Sequence, residues 1–322
     1  MKILSVVPAR ISLFGGGTDI SPFCDLYGGL CINLAINIRS KFTLFTGDDM
    51  YDPQANGQVP YLGKREFVYA FLNEFDLGDF HRCKFNSDFD GLLESGMGSS
   101  ASSAVAIIGA INKLQNLGMS LSDIAEKAWD IEVNKIGLFG GKQDQYCAAY
   151  GGFNIMKFYK DTVTVEPLGT PFTYSKNLLS SLVLFYTGLN RKSAKIQEGF
   201  KKLSQYQIDN LTNLKNLALT AIDFIKKGDV EMVGELLNQT WEYKKHSNKG
   251  VSNPKIDKIY HHAIKHGALS GKILGAGGGG FMLFVVPDKK EEFIANMEKL
   301  DGIKHWDFSP DFTGLDIRIL ND

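Results

Sequence analysis

The stretch Glu94-Ser-Gly-Met-Gly-Ser-Ser-Ala-Ser-Ser-Ala-Val105 decides how the rest of the chain is read. Glycines and hydroxyls pass into an apolar segment, Ala104 to Leu117. There Ala101, Ala104, Ile107, Ile108, Ile111 and Leu114 recur at three- and four-residue spacing. That periodicity predicts a largely buried helix whose first turn is Gly98-Ser99-Ser100-Ala101. A helix N-terminus leaves backbone N–H groups unpaired and carries partial positive charge. Glycines ahead of it let the backbone curl closely around a ligand, so the turn suits a phosphate, and Ser99 and Ser100 add hydroxyls for phosphate or a magnesium ion. A serine-capped helix with no ligand would carry the same local sequence. Gly96-Met-Gly98-Ser-Ser-Ala101 also fits a dinucleotide fingerprint, which requires a strand before it and an acidic residue closing the next strand. Ser87 to Leu93 is polar and broken by Gly91, and the chain downstream enters another helix, which argues against that fold.

Outward from this turn, composition narrows the classes. A length of 322 residues suits one large domain or two medium ones, and 44% hydrophobic residues suffice for an ordinary core. A formal net charge of −1 gives no electrostatic reason to expect nucleic acid or an anionic membrane. No apolar run approaches the roughly eighteen residues of a membrane span. Met1-Lys-Ile-Leu begins directly with a strand-like segment rather than a secretory signal. Cys24, Cys31, Cys83 and Cys147 lack metal-type spacing and suit reduced thiols, so a cytoplasmic protein is expected. His262 and His266 stand at helical spacing, but a zinc pair has no evident third ligand.

Lys2 to Val7 reads as a strand ended by Pro8. Arg10, beside apolar Ile11 and Leu13, would border a cleft. Gly15-Gly16-Gly17 permits backbone geometry closed to other residues, with Thr18 and Asp19 displayed on the turn; a plain loop would have the same sequence. Leu30 to Phe45 looks like paired strands, Gly47 to Gly63 like loop, Phe67 to Phe75 like helix, and Cys83 to Asn86 like strand. Ser120 with Asp123 forms a capping box for a helix with the inner stripe Leu121, Ala125, Ala128, Trp129, Glu132 and Ile136. Glu132 is out of place on that stripe. A carboxylate on an apolar face needs a cation, a metal or a hydrogen-bond donor.

Gly137-Leu-Phe-Gly140-Gly141-Lys-Gln143-Asp144-Gln-Tyr146 again brings backbone close to something, with Asp144 amid polar groups. Strands are expected over Phe153 to Phe158 and Val163 to Leu168. A boundary between halves falls in Gly169 to Ser175, giving units 1–170 and 171–322. In the second half, Leu182 to Thr187 reads as a strand. Leu211, Leu214, Ala218, Ala221, Ile222 and Ile225 form a helical stripe, and Asp229 caps a further helix ending near Trp241. Arg191, Lys192 and Ser193 follow Gly188 as either a solvated helix start or an anion clamp. Lys272 to Val286 is strand, glycine loop, strand. Its Gly275 to Gly280 matches the dinucleotide spacing but precedes a strand, so it predicts a hairpin whose tip, Gly277 and Gly278 included, meets a ligand or another backbone. Glu291 to Leu300 is expected to be helical and Leu315 to Leu320 a closing strand.

Pro-x-Arg-Ile-x-Leu-x-Gly near the N-terminus, Gly-x-Gly-Ser-Ser-Ala in the middle and a glycine-rich hairpin near the C-terminus stand in an order that resembles the GHMP kinases, the family of galactokinase, homoserine kinase and mevalonate kinase. The resemblance spans nearly the whole chain. It implies an α+β fold of two domains, a ribosomal S5 domain 2-like N-terminal one and a ferredoxin-like C-terminal one, with ATP and substrate between them. It further implies that Gly96, Met97, Gly98, Ser99, Ser100 and Ala101 wrap the ATP phosphates, and that Ser100 and Glu132 hold Mg2+. Asp144 falls where the sugar kinases carry a catalytic aspartate, and Arg10 where they carry its basic partner. Gly16, Gly17, Thr18, Asp19, Gly140, Gly141, Gln143, Gly277 and Gly278 fall on the sugar side.

One departure matters. Galactokinases have Gly-Glu-His-Thr-Asp where this chain has Gly15-Gly-Gly-Thr-Asp19, which removes two polar side chains and argues against galactose. The pattern of Gly-Gly-Gly-Thr-Asp, Gly-Gly-Lys-Gln-Asp-Gln-Tyr, Thr-Gly-x-x-Arg and Gly250-Val-Ser-Asn-Pro254 is similar to the bacterial heptose 7-phosphate kinases, which phosphorylate an anomeric hydroxyl. Fucokinase-type domains share part of it. Arg191, Lys192 and Ser193 favour a substrate that already bears a phosphate. The expected ligands are therefore ATP, Mg2+ and a sugar phosphate. A homodimer is left open, and a non-catalytic sugar and ATP sensor on the same fold is disfavoured by the joint presence of Ser100, Glu132 and Asp144.

Overall fold

The computed structural model describes residues 1–47, 65–77, 83–93, 95–169, 176–189 and 202–320. Strand β1 (Lys2–Phe14) runs beside β2 (Gly29–Phe45), and this long antiparallel pair is the spine of a six-stranded sheet. Strands β3 (Lys84–Phe89) and β4 (Phe153–Phe158) both pair with β2, and β5 (Val163–Pro167) closes that side. The expected end of β1 at Pro8 is corrected: the strand continues to Phe14. Pro8 sits at a register shift between Pro8 and Ala9, where no ladder N–H is required of it. The two strands expected within Leu30 to Phe45 are one strand of 17 residues. Because β3 runs antiparallel to β2 and extends to Phe89, the parallel strand a dinucleotide fold needs is absent at this place.

Alternation along β2 explains its near-continuous apolarity. Leu30, Ile32, Leu34, Ile36 and Ile38 face one core, whereas Cys31, Ala35, Phe42 and Leu44 face another. Both faces are buried over most of the strand, so apolar residues dominate both. One face carries α2 (Arg65–Glu74), α3 (Ser99–Gln115), α4 (Leu121–Asp130) and α5 (Gln143–Tyr150), following the short α1 (Phe23–Tyr27). The helix predicted from the alanine and isoleucine spacing is α3, buried from Ala101 through Ile111. The capping box at Ser120 and Asp123 is formed, with each residue bonding the other's backbone N–H. Leu121 faces outward at 38% exposure, so it leaves the expected inner stripe, which runs through Ile124, Ala125, Ala128 and Ile131 instead.

The second half builds a four-stranded antiparallel sheet. Its order is β7 (Ser270–Ile273), β8 (Phe281–Val285), β6 (Leu182–Tyr186), β9 (Lys304–Trp306). Around it lie α6 (Lys176–Ser181), α7 (Gln205–Lys227), α8 (Val230–Ser247), α9 (Pro254–Lys265) and α10 (Lys290–Met297). The fold is α+β, as expected. Leu184, Phe281 and Leu283 share one core with Ile11, Leu13, Ile32 and Leu34 of the first sheet and with Ala218 and Leu237. Each such burial is worth ~1.5–3 kcal/mol, so the two halves are welded rather than merely tethered. No helix among the described residues is long and apolar enough to cross a membrane.

One strand from beyond residue 171 joins the first sheet. Strand β10 (Asp316–Leu320) leaves the second half and pairs with β1, from Lys2 opposite Leu320 to Val6 opposite Asp316. It covers what would otherwise be an exposed edge of the central strand. Residues 170–175, where the boundary was expected, lie outside the described residues. Buried Asp311 fastens the returning segment. Its Oδ2 accepts from Arg39 Nε at 2.7 Å, and its Oδ1 accepts from the backbone N–H of Thr313 at 2.9 Å. Hydrogen bonds to a charged group contribute ~1.5–3 kcal/mol. Asp311→Asn is therefore expected to lower unfolding stability by about that amount in a urea titration, and a change under ~0.5 kcal/mol would show that the carboxylate does not hold the segment.

Candidate active site

Arg10 leaves β1 toward the start of α3 and the start of α5. Its Nε donates to Asp144 Oδ1 at 2.7 Å, and its Nη2 lies 2.6 Å from the same oxygen. Nη1 donates to Gly96 O at 2.7 Å, while its backbone N–H donates to Met97 O at 3.0 Å. One arginine thus joins the first strand, the glycine turn and the helix bearing Asp144. Arg10 is buried, whereas the Asp144 side chain keeps 27% of its surface exposed, so the carboxylate borders open space.

The turn itself has the geometry the sequence predicts. Gly98 is the N-cap of α3 at φ 77°, a left-handed conformation that favours glycine. No side chain caps the helix, an arrangement that can receive an anion at the first-turn N–H groups. Ser99 is buried, whereas Ser100 is partly exposed. Ser100 Oγ donates to Glu132 Oε1, and Gln145 Nε2 donates to Glu132 Oε2 at 2.8 Å. Glu132 sits in a π-helical turn, Ile131–Lys135, that continues α4. The wider turn shifts the helical phase after Asp130 and brings Glu132 beside α3 and α5; Leu138 N–H closes onto Glu132 O at 2.8 Å. Burial pushes the Glu132 carboxyl up to about 7. A carboxyl oxygen and a hydroxyl facing each other at the mouth of a helix N-terminus are a fitting donor set for a hard divalent cation.

The Gly15–Asp19 turn serves a different end from the one expected. Thr18 and Asp19 are not displayed on it: both are buried, at 0% and 2% exposure. The Thr18 hydroxyl donates to Gly15 O at 2.8 Å and accepts from Leu30 N–H at 3.0 Å, so it ties the turn to β2. Asp19 Oδ2 accepts from Gln143 N–H at 3.1 Å, and its Oδ1 accepts from Gln143 Nε2 at 2.9 Å and from Gly17 N–H at 3.1 Å. It thereby caps α5 directly before Asp144. Burial, then the neighbouring charge of Asp144, raises its pKa. Gly141 packs on that carboxylate with no room for a Cβ, and Gly140 O accepts from Trp129 Nε1 at 3.2 Å. Ser12 Oγ reaches Gln143 Oε1 at 2.9 Å.

The glycine hairpin between β7 and β8 meets backbone, one of its two expected roles. Gly278 N–H donates to Val251 O at 2.8 Å, and Phe281 N–H donates to Ser95 O at 3.0 Å, so the hairpin buttresses the phosphate-type turn from the second half. Gly280, at φ +85°, packs so closely on Ser95 O that a Cβ would overlap it. Gly277 packs likewise on Val251. Arg191, Lys192 and Ser193 lie outside the described residues.

The GHMP kinases N terminal domain family matches residues 65–152 and the GHMP kinases C terminal family residues 221–300. A D-glycero-alpha-D-manno-heptose 7-phosphate kinase from Campylobacter jejuni subsp. jejuni serotype O:2 is 34% identical over 320 residues, spanning 93% of this chain and 94% of its own. The chain belongs to the GHMP kinase family. A crystal structure of a D-glycero-D-manno-heptose 1-phosphate kinase from Bacteroides thetaiotaomicron matches with a TM-score of 0.79 at 28% identity, over 99% of this chain and 100% of its own. An L-fucokinase/L-fucose-1-P guanylyltransferase from Bacteroides fragilis is 25% identical over 87% of this chain but 34% of its own length. As a GHMP kinase the chain is a phosphotransferase with an alcohol group as acceptor, and ATP is its expected donor.

Gln145 and Ser12 are the members of this kinase's site that sequence reading passes over. Gln145 lies one residue after Asp144, yet reaches Glu132 because α5 turns its side chain toward the π turn. A helix over Gln143–Tyr150 was itself not anticipated, and it is the missing signal for both. Asp19 reads as a positioning carboxylate in this kinase rather than a group facing substrate. Asp19→Asn replaces acceptor oxygen with an NH2 facing N–H donors and removes charge-assisted bonds worth ~1.5–3 kcal/mol each. The expected outcome is a kcat loss of about tenfold or more with the sugar KM within about threefold of wild type. A sugar KM that rises while kcat holds would instead place Asp19 on the substrate.

Proposed function

We propose that this GHMP kinase phosphorylates the anomeric C1 hydroxyl of D-glycero-D-manno-heptose 7-phosphate, giving heptose 1,7-bisphosphate for GDP-heptose and surface polysaccharide synthesis, and that it works in the cytoplasm. The observation that carries the reaction is the Arg10–Asp144 pair, held at 2.7 Å against the Gly96–Ser100 turn with Asp144 partly open to solvent. The similarity to the Campylobacter jejuni heptose 7-phosphate kinase over 93% of the chain supports the substrate.

MgATP, when bound, supplies the phosphoryl group and a divalent charge to neutralise its oxygens. The first-turn N–H groups of α3 would hold phosphate oxygens, and Ser100 Oγ and Glu132 would hold the magnesium ion. Asp144 orients the sugar hydroxyl and takes its proton as the oxygen attacks the γ-phosphorus and the bond to ADP breaks. Arg10 holds that carboxylate in place and adds positive charge beside the phosphoryl group in transit. Little covalent chemistry is asked of the protein; position and charge do most of it. Gly16 and Gly17, only partly buried, put no side chain in the way of a sugar bulkier than a hexose, whereas Gly141 packs against Asp19. Arg191, Lys192 and Ser193 clamp the substrate's own phosphate.

A coupled ADP-release assay over heptose 7-phosphate, free heptose, fucose and galactose tests the reading directly. Heptose 7-phosphate is expected to give the highest kcat/KM. Preference for an unphosphorylated sugar would replace it with a fucokinase-like activity, and no turnover with any sugar would favour a sensor. Asp144→Asn is expected to bind ATP as well as wild type while losing on the order of 10²-fold or more in kcat; loss of nucleotide binding would misplace Asp144. Arg191→Ala is expected to raise KM for heptose 7-phosphate about tenfold or more, with KM for ATP nearly unchanged, as charge-assisted phosphate contacts of ~1.5–3 kcal/mol require. An unchanged sugar-phosphate KM would remove the clamp.

A further inference from the structure

Lys272 is the most deeply buried cation in the described residues, with 1% of its surface exposed. It stands on β7, in the second sheet, three residues before Gly275 opens the glycine hairpin. Its side chain crosses to the first sheet, where Nζ donates to Ser12 O at 2.8 Å and to Leu13 O at 2.8 Å. No carboxylate among the described residues forms an ion pair with it. The charged and titratable groups acting on it are Arg10, which opposes its protonation, and Cys31; burial, then Arg10, lowers its pKa to about 7. An unpaired ammonium in a core is expensive, and an apolar side chain would fill the same place at lower cost. Its retention calls for a task.

The location of its two acceptors supplies one. Strands β1 and β2 lose register between Ser12 and Phe14, so Leu13 has no partner across the ladder. A bulge re-aims the residues beside it and leaves backbone groups unpaired. Lys272 supplies donors to the carbonyls at this irregularity. The same few residues carry the site: Arg10 pairs with Asp144, and the Ser12 hydroxyl reaches Gln143 at 2.9 Å. The hairpin that follows Lys272 touches Ser95, next to Gly96, through the Phe281 N–H bond to Ser95 O at 3.0 Å. One short segment of the second half therefore braces both sides of the Arg10 junction, the strand through Lys272 and the phosphate-type turn through the hairpin.

We propose that Lys272 is a positioning residue: anchored in the second sheet, its side chain fixes the bulged Ser12–Leu13 segment of β1 and through it the Arg10–Asp144 pair, so that turnover depends on a group that touches no substrate. The proposal rests on the kinase reading of that pair. Lys272→Met keeps the length and volume of the side chain and removes the donors, so the core stays filled. The variant, wild type, Asp144→Asn and the double variant are compared for kcat, for both KM values and for ADP affinity by calorimetry. The acceptor is whichever sugar wild type turns over, so a wrong substrate assignment leaves the comparison intact.

The expected result for Lys272→Met is a kcat loss of about tenfold or more, with KM for ATP and ADP affinity within about threefold of wild type. In the Asp144→Asn background the same change should cost less than about twofold, because the pair through which Lys272 acts is already broken. An unchanged kcat overturns the proposal, as do losses that simply multiply or an effect confined to KM. Should Lys272→Met fail to fold, Lys272→Gln, which keeps N–H donors without the charge, is judged by the same criteria. Absence of any turnover by wild type overturns the kinase reading and this inference together, while turnover of a sugar other than heptose 7-phosphate overturns the substrate alone.

Discussion

The ion pair between Arg10 and Asp144 is the constraint on which the rest of the site depends. Its guanidinium is buried and reaches in two directions: Nε and Nη2 together grip a carboxylate oxygen on α5, which fixes the plane of the group, and Nη1 donates to the Gly96 carbonyl. A guanidinium can do this because its donors form a rigid fork. Breaking a buried pair by removing one partner strands the other charge at a cost of ~3–5 kcal/mol. The first strand, the glycine turn and α5 are therefore held to one another by more than packing.

Around that pair the protein gathers two further carboxylates, Asp19 and Glu132, and desolvation raises the pKa of both. Each is made tolerable by donors rather than by cations. Asp19 draws on backbone and amide N–H groups at the start of α5, and Glu132 on Ser100 and Gln145. The two differ in what they face. Asp19 is closed in by Gly141 and Gln143, so its work is to hold the helix that presents Asp144. Glu132 lies beside a hydroxyl at an uncapped helix start, where an added cation would relieve the energetic cost of its burial.

Loop geometry is fixed from the outside by a second set of polar contacts. Lys142 pairs with Glu126 at 2.7 Å and lies 4.5 Å from the Trp129 ring centroid, while the Tyr146 hydroxyl donates to the same Glu126 at 2.7 Å. These contacts pin the segment between the π turn and α5 against α4. The residues that lead into Asp144 are thus held on one side by Asp19 and on the other by Glu126, and the backbone between them has little freedom to wander from its place.

Much of this was legible in the sequence, for physical reasons. Three- and four-residue spacing of alanine and isoleucine marks a largely buried helix, so α3 and its glycine-led start followed from residues 96–117 alone. The capping box at Ser120, the hairpin at Gly275–Gly280 and the oddity of a carboxylate at Glu132 are likewise local facts. What the sequence could not determine is where a side chain's partner lies when that partner is distant along the chain. Thr18 and Asp19 looked displayed because nothing nearby in sequence covers them; β2 and α5 do so in space. The strand at Asp316–Leu320 announces itself by alternation, but only the sheet shows that it returns to β1. A π turn after Asp130 leaves no periodic signature in five residues, yet it aims Glu132. Lys272 reads as one more strand lysine until two sheets close over it. The sequence by itself determined the periodic elements, the turns that need glycine and the chemical types at the site. The tertiary structure decided which of those groups are buried, paired and brought within hydrogen-bond reach, because burial and pairing are properties of surfaces that only folding brings together.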